Sequence, residues 1–351
     1  MTAAWPRADQ RLERAYRRLL LAYPGRYRRR HGTEIVTTLL EMAGPDQHRP
    51  DRDEAWHLLA SGLRQRFRLP AGRPVAWVAA VLIALIAGAF GAAAGSWAGE
   101  LTFADLPAEA TVARQAAGEI DTDQLAVLHD ASPWSADMIF ADSRLGPGWN
   151  PEHTEQRLSA AGWTVTPGAP LSGHAVTVDP ATGAPVDVPV RGTELRAESH
   201  GVLLQVRGYV TAQTSSVSVT GWAARTPAYL PLVVLGTLLG LVAGWLLAAA
   251  GAYRLVRARR PWLAATVSAT AILALVLPAV ALYGNLMRVF RRLGDFGPAH
   301  TVHSAFSPGP YYPFGPTWQV LALSVAGVVL AAGALLVARP GGSAQPEQNP
   351  A

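Results

Sequence analysis

The chain contains no cysteine and no lysine; all 30 of its basic side chains are arginine. Each absence removes chemistry. Without cysteine there is no disulfide, thiolate nucleophile, cysteine-ligated zinc or lipidated cysteine. Without lysine there is no Walker-A phosphate loop, pyridoxal Schiff base or Ser-x-x-Lys acyl-enzyme site. No His-Glu-x-x-His or Gly-x-Ser-x-Gly run occurs either, which removes the signatures of zinc peptidases and α/β-hydrolase nucleophiles. We therefore expect a protein without enzymatic activity and without a cofactor or metal. Arginine used to the exclusion of lysine, beside abundant Ala, Gly and Pro, points to a GC-rich bacterial coding sequence.

Charge is missing altogether from residues 75–97, 228–253, 261–287 and 317–338, each at least 22 residues long. A helix of that length, rising about 1.5 Å per residue, crosses a hydrocarbon layer of roughly 30 Å. We assign spans to 75–98, 228–253, 261–287 and 317–338 and expect Pro278 to kink the third. No side chain inside them ionises apart from tyrosine. Polar groups at membrane depth cost about 2.5–3.5 kcal/mol each and persist where function needs them. A proton-coupled pump is thus not expected, and the spans read as anchors and packing surfaces.

Arginine placement orients the chain. Residues 1–74 hold 15 Arg against 8 acids, and the 254–260 link holds Arg254, Arg257, Arg259 and Arg260 with no acid, whereas 99–227 hold 7 Arg against 15 acids. Positive loops stay cytoplasmic. We expect a multi-pass protein of the cell membrane with both termini in the cytoplasm, residues 99–227 outside, and the first span acting as an uncleaved signal anchor. The external loop 288–316 dissents, with Arg288, Arg291 and Arg292 against Asp295. The four link arginines are expected to set topology or face anionic lipid, where each gains roughly 1 kcal/mol.

Gly91, Gly95 and Gly99 repeat at four-residue spacing in the first span, and Gly236, Gly240 and Gly244 in the second. Such stripes let two helix backbones approach closely, either between these two spans or against a partner's helices in a homo-oligomer.

Upstream, residues 8–68 read as three amphipathic helices. Leu12, Tyr16, Leu19 and Leu20 share a face of the first, ended by Pro24-Gly25; Ile35, Val36, Leu39 and Leu40 follow in the second. Asp51 or Asp53 is placed to cap the third, with Trp56, Leu59, Leu63 and Phe67 on one stripe. The run from Tyr16 through Leu19, Leu20, Tyr23 and Pro24, with Arg28, Arg30, Gly32, Glu34 and Ile35, resembles the helical permease-prefix module, similar to HAAS-type domains. Those modules precede the first span of some bacterial ABC-type permeases and of membrane proteins paired with PadR-type regulators. The resemblance covers about 60 residues by this reading. It implies a cytoplasmic docking element, with Tyr16, Leu19, Leu20, Tyr23, Pro24, Arg28 and Arg30 as candidate contacts. The arginines there do not form a recognisable DNA-binding motif, and no direct nucleic-acid partner is expected.

Residues 99–227 have the periodicity of an α+β domain. We expect a helix over 108–131, a second from Pro151 to Ala161 closed by Gly162, and a strand at 163–166. Residues 172–189 read as a loop or hairpin, followed by strands at 194–199, 202–211 and 216–222, with His200-Gly201 as a tight turn. Asp121 and Asp123 suit a capping turn better than a cation site. His129, His153, His174 and His200 lack metal-ligand spacing, and His300-x-x-His303 reads as ordinary surface histidines. Phe306, Tyr311, Tyr312, Phe314 and Trp318 suggest an interfacial aromatic belt. The tail, 339–351, has a disordered composition.

The expected fold is therefore an α-helical integral membrane protein of four transmembrane helices, with a cytoplasmic three-helix module and an external α+β domain. Its expected role is sensing or interaction, with the bilayer and a PadR-type regulator as partners. The alternative is an FtsX/MacB-like permease-type subunit working with an ABC ATPase, since that class also has one span, a large external domain and then three more spans.

Overall fold

The computed structural model describes residues 10–44, 47–70, 73–118, 125–130, 132–145, 149–178, 182–211, 214–307 and 313–338. In chain order the elements are α1 (Gln10–Leu19), a 3-10 turn (Leu20–Ala22), α2 (Gly25–Met42), α3 (Arg52–Phe67), α4 (Pro74–Glu100), α5 (Glu109–Ala117), β1 (Leu125–Asp130) and β2 (Met138–Leu145). They continue with α6 (Pro151–Ala160), β3 (Thr164–Val178), β4 (Pro185–Ser199), β5 (Val202–Val210), β6 (Ser215–Ala223), α7 (Tyr229–Leu255), α8 (Pro261–Arg291), a second 3-10 turn (His303–Phe306) and α9 (Thr317–Val337). The chain divides into two units, Met1–Leu85 with Leu241–Ile272 and Val329–Ala351, and Ile86–Gly240 with Leu273–Val328.

Helices α4, α7, α8 and α9 are each long and apolar enough to cross a membrane. Their surfaces are apolar as well. Leu273 is 73% exposed and Trp318 69%. At roughly 25 cal/mol per Å² of apolar surface, water would penalise such faces heavily; lipid does not. Helix α8 runs unbroken through Pro278.

In the first unit α1, α2 and α3 close over Leu12, Tyr16, Leu20, Tyr23, Val36 and Leu58, with Leu19, Ile35, Leu39 and Leu40 at the edge. The 3.6-residue spacing of α1 places Leu12 and Tyr16 on one inward face, which Leu20 of the following 3-10 turn continues, as the sequence indicates. Helix α3 corrects the expectation. Trp56 and Leu63 are exposed, while Leu58 and Gly62 face inward. The reason is size: a methyl group at Gly62 would meet the Ala22 backbone at 2.9 Å and the Tyr23 ring at 2.9 Å. The close approach selects the glycine face over the bulkier stripe. Asp51 stands at the N-cap position, although its side chain makes no capping bond. A second cluster joins Leu69 and Ala80 to Ala248 and Ala249, and Trp245 Nε1 donates to the Phe67 carbonyl at 3.0 Å.

In the second unit six antiparallel strands form one sheet, ordered β1-β2-β6-β5-β4-β3. Strands β5 and β6 alternate buried and less buried positions, the period-two pattern of a sheet with one covered face. Helices α5 and α6 cover it with Val112, Ala116 and Leu158 against Leu195, Leu204, Val206, Val217 and Val219. Each large aliphatic buried there contributes about 1.5–3 kcal/mol. His200 (φ 48°) and Gly201 (φ 79°) both adopt left-handed conformations between β4 and β5, as a two-residue hairpin turn of matching twist requires.

The helix expected over 108–131 is shorter. Gly118, at φ 90°, caps α5 with its N–H on the Arg114 carbonyl, and Leu125–Asp130 pairs with β2 as an edge strand. Pairing partners override helical spacing there. Strand β2 was not expected, and residues 172–178 pair with 185–191 within the long β3–β4 pair, as the hairpin alternative has it. Asp121, Asp123, Tyr311, Tyr312 and the 339–351 tail lie outside the described residues.

Candidate functional site

The second unit concentrates its polar chemistry where the sheet domain meets the ends of α4, α7 and α8. Residues 299–301, in the α8–α9 loop, run antiparallel to 134–136, which lead into β2. Ala136 N–H donates to the Ala299 carbonyl at 2.8 Å and Thr301 N–H to the Trp134 carbonyl at 3.1 Å, around the Ser135–His300 bridge. The loop thus adds a short strap to the sheet domain's own backbone.

Beneath the strap lies Asn285 of α8, fully buried. Its Nδ2 donates to the Pro133 carbonyl at 2.8 Å and also faces the Thr301 carbonyl and Ser304 Oγ, both at 3.3 Å. One side chain thereby joins a span, the strap and the segment entering β2. Asn285 Oδ1 and Thr301 Oγ1 are buried without a hydrogen-bond partner, so the knot's stability rests on the amide nitrogen.

A second chain of contacts starts at Glu100, the last residue of α4. Glu100 Oε2 accepts from His303 Nε2 at 2.6 Å, and His303 Nδ1 lies 3.1 Å from Ser96 Oγ. Ser96 Oγ accepts the Val302 N–H at 2.9 Å and lies 2.8 Å from the Tyr229 hydroxyl, which donates to the His300 carbonyl at 3.0 Å. Tyr229 spends its proton on the carbonyl, so Ser96 donates to Tyr229 and accepts from Val302 and from His303 Nδ1.

The histidines of His300-x-x-His303 are therefore junction elements, correcting the reading as surface residues. His300 Nδ1 donates to the Trp134 carbonyl at 3.1 Å. Burial lowers the His300 pKa below its ordinary value, and repulsion from Arg292, Arg288 and Arg225 adds to this against the raising effect of the Trp134 hydrogen bond. Among the described residues no three His, Asp or Glu side chains gather as a metal site.

The dissenting arginines also have local work. Arg288 lies over the Trp134 ring, 3.5 Å from its centroid, a cation–π contact. Arg292 pairs with Asp295 at 3.4 Å, and Phe296 receives the Arg196 guanidinium at 4.1 Å while meeting Trp222 edge-on. Further into the sheet, Glu194 is held by Arg196 and Arg207. Burial alone would raise its pKa, but hydrogen bonds from Gln205, Arg196 and Arg207 outweigh that and lower it.

Of the glycine stripes, Gly91, Gly95 and Gly99 lie against α7. A methyl carbon at Gly91 would fall on the Gly236 carbonyl oxygen, at Gly95 on that of Leu232, and at Gly240 on that of Ala87; at Gly99 it would meet the Tyr229 ring at 2.7 Å. Gly244 is buried. The candidate docking residues are distributed differently from the expectation. Tyr16, Leu20 and Tyr23 are buried in their own module and Leu19 packs at its edge, so they hold the fold. Pro24 and Arg28 are half-buried, and Arg30 is exposed. Arg254, Arg257, Arg259 and Arg260 are all exposed.

The sequence reading, which noted that no side chain but tyrosine ionises in the spans and took them as anchors and packing surfaces, passed over Asn285 and Ser96. An amide within an apolar helix is the signal that marks Asn285. Ser96 carries no such mark, because serine in a span commonly satisfies itself on its own helix.

Four apolar helices and an antiparallel sheet domain define a multi-pass helical membrane protein. No family model matches the chain, and no match is found among curated proteins or solved structures.

Proposed function

We propose that the protein is a non-enzymatic membrane sensor or interaction protein of the cell membrane. Its sheet domain lies outside, and its N-terminal helical module and both termini lie in the cytoplasm. The observation that carries this reading is the fastening of the sheet domain to α4, α7 and α8 through Asn285, Ser96, Tyr229 and the 299–303 strap. A domain tethered by a loose linker would move independently of its spans. One bound by buried, directional hydrogen bonds transmits a ligand's bias to them. The arginine asymmetry supports the orientation. The prefix-like module, with Arg30 exposed on α2, supplies the inner face for a regulator of PadR type.

The order of one span, a large domain and three further spans favours a second reading, a permease-type subunit served by an ABC ATPase. The connection from Leu255 to Pro261 weighs against it, because it leaves no room for a helix to engage an ATPase between α7 and α8.

Affinity capture of the detergent-solubilised full chain tests the two. A transcription regulator retained by wild type and lost on Arg30→Glu supports the sensor reading; a retained ATPase overturns it in favour of the permease. A periplasm-active reporter inserted at Pro180 checks the orientation, and activity only in the cytoplasm refutes it.

A further inference from the structure

Helix α3 carries apolar residues on two opposite faces. Leu58 and Gly62 pack into the helical module, whereas Trp56, Leu59, Leu63 and Phe67 run down the other side at helical spacing. Trp56 is 73% exposed and Leu63 47%, with Ala60 exposed beside them. Single exposed hydrophobic residues are ordinary, but a continuous stripe marks a surface that something covers.

The fold says what lies there. Trp245 Nε1 of α7 donates to the Phe67 carbonyl at 3.0 Å, and Leu69 packs with Ala80, Ala248 and Ala249. The uncharged run of α7 continues to Tyr253, so Trp245 sits roughly 14 Å of helix inside the first charge, Arg254. The C-terminal end of α3 is thereby fixed at the depth of an apolar span. Trp77 of α4 meets Trp245 edge-on, and indoles gather where membrane meets water. Six residues separate α3 from α4, so the chain leaves the stripe and enters a span at once.

Charge follows the same gradient. The acids of α3, Asp53 and Glu54, stand in its first turn and Arg64 and Arg66 in its last. Arg66 serves the fold, donating to the Tyr23 carbonyl at 3.4 Å. Arg64 is exposed, as are Arg68 and Arg73 beyond the helix. Helices that lie in the membrane surface have this make-up, with aromatic and aliphatic residues sunk about 5–10 Å into the headgroup boundary and cations at the edge. A protein partner would need neither the depth nor the gradient.

We propose that the Trp56, Leu59, Leu63 and Phe67 stripe of α3 lies in the headgroup boundary of an anionic bilayer, with Arg64, Arg68 and Arg73 toward the lipid phosphates. The stripe is then a second membrane contact of the chain, beside the spans. It requires only that α4 and α7 cross a bilayer; neither the orientation of the chain nor its sensing role enters.

The absence of cysteine allows one label per chain. An environment-sensitive fluorophore is attached to the Ala60→Cys variant, and the full chain is reconstituted at one copy per nanodisc in phosphatidylcholine with increasing phosphatidylglycerol. Quenching by lipid brominated on its acyl chains is compared with quenching by iodide in the water. We expect the brominated lipid to quench the label. Iodide should be at least about threefold less effective than when Trp56→Ser and Leu63→Ser are added, which release the helix. Phosphatidylglycerol should strengthen quenching by brominated lipid, and Arg64→Gln/Arg68→Gln should abolish that gain. A label freely quenched by iodide in the bilayer overturns the proposal and leaves the stripe to a protein partner. Shielding from iodide without quenching by brominated lipid overturns it as well, since the chain itself then covers the stripe. If phosphatidylglycerol makes no difference, the assignment to an anionic surface fails. Should the serine variant not fold, the two quenchers acting on the otherwise unaltered stripe decide alone.

Discussion

In the N-terminal module, cohesion comes from rings and aliphatic side chains gathered around Tyr16 and Leu20. At the junction of the sheet domain with α4, α7 and α8 it comes from directional bonds to Asn285, Ser96, Tyr229 and His303. Apolar burial is graded and tolerant: side chains can repack at modest cost. A buried polar knot is all or nothing, since a lost partner strands the other group without water. The two regions should therefore respond differently to substitutions of similar size. A tolerant module suits an element that docks to partners, and an intolerant knot suits one that holds two bodies in register.

The severest test lies beside the knot, where α4 meets α7. Gly91→Ala places a methyl on the Gly236 carbonyl oxygen, and backbone cannot yield as a side-chain tip does. We expect a loss of about 1–3 kcal/mol or more, seen as a lowered thermal midpoint or aggregation on size exclusion in detergent. Gly333→Ala, with nothing within 4 Å, should be neutral. Equal behaviour of the two would show that close approach does not hold the helices.

Next in size is Asn285→Leu. The change removes the donor that serves the Pro133 carbonyl and buries that acceptor unpaired, a cost of about 1–3 kcal/mol. Hydrogen exchange should accelerate at residues 133–136 and 299–302 and remain as in wild type in α1. If exchange rises across the whole chain alike, the knot is not a local fastener.

Legibility in the sequence follows the same division. The four spans and the face of α1 are one-dimensional signals, an uncharged run and a 3.6-residue period, and both are visible without knowing the fold. The α3 face was misread because Trp56 and Leu63 outweigh Gly62 by hydrophobicity, while the packing against Ala22 and Tyr23 selects the smallest residue. Strand β1 was read as helix because the spacing of Val112 and Ala116 continues past Gly118, and only β2 supplies its pairing. The knot was illegible for a stronger reason. Ser96, Tyr229 and His303 are far apart in the chain and chemically ordinary, and nothing local marks them as partners. The spacing of Gly91, Gly95, Gly236 and Gly240 was legible, but what each stripe packs against was not.

Acid should discriminate between the regions as well. His300 has a lowered pKa in the folded protein, so below its ordinary value of 6.5 the unfolded chain takes up a proton that the folded chain resists. The neutral-form stability is complete above 6.5 and declines as pH falls below it. Glu194, also lowered, keeps its contribution until pH drops under 4.5 and then loses it. Junction amides at 134–136 should therefore loosen by about pH 5, before those around Glu194. His300→Asn preserves a donor toward the Trp134 carbonyl without titrating, and should flatten the first phase. An unchanged first phase in that variant would assign it to another group.

The smallest effect belongs to the module. Tyr16 is fully buried, and its hydroxyl donates to Glu54 Oε2 at 2.8 Å. Tyr16→Phe keeps the ring and its packing, removing one hydrogen bond worth about 1 kcal/mol. Burial, the hydrogen bond to Glu54 and the charges of Glu54 and Asp51 push the Tyr16 pKa up to about 12, from an ordinary 10.0. A raised pKa contributes stability that is complete below 10.0 and is lost as pH climbs toward 12, because the unfolded chain releases its proton first. The wild type should thus exceed the phenylalanine variant by a constant margin at neutral pH, and the margin should shrink steadily above pH 10.0. Exchange at the α1 amides measures both. A margin independent of pH would mean that the Tyr16 hydroxyl is solvated rather than held by Glu54, and that the module is tied by apolar contact alone.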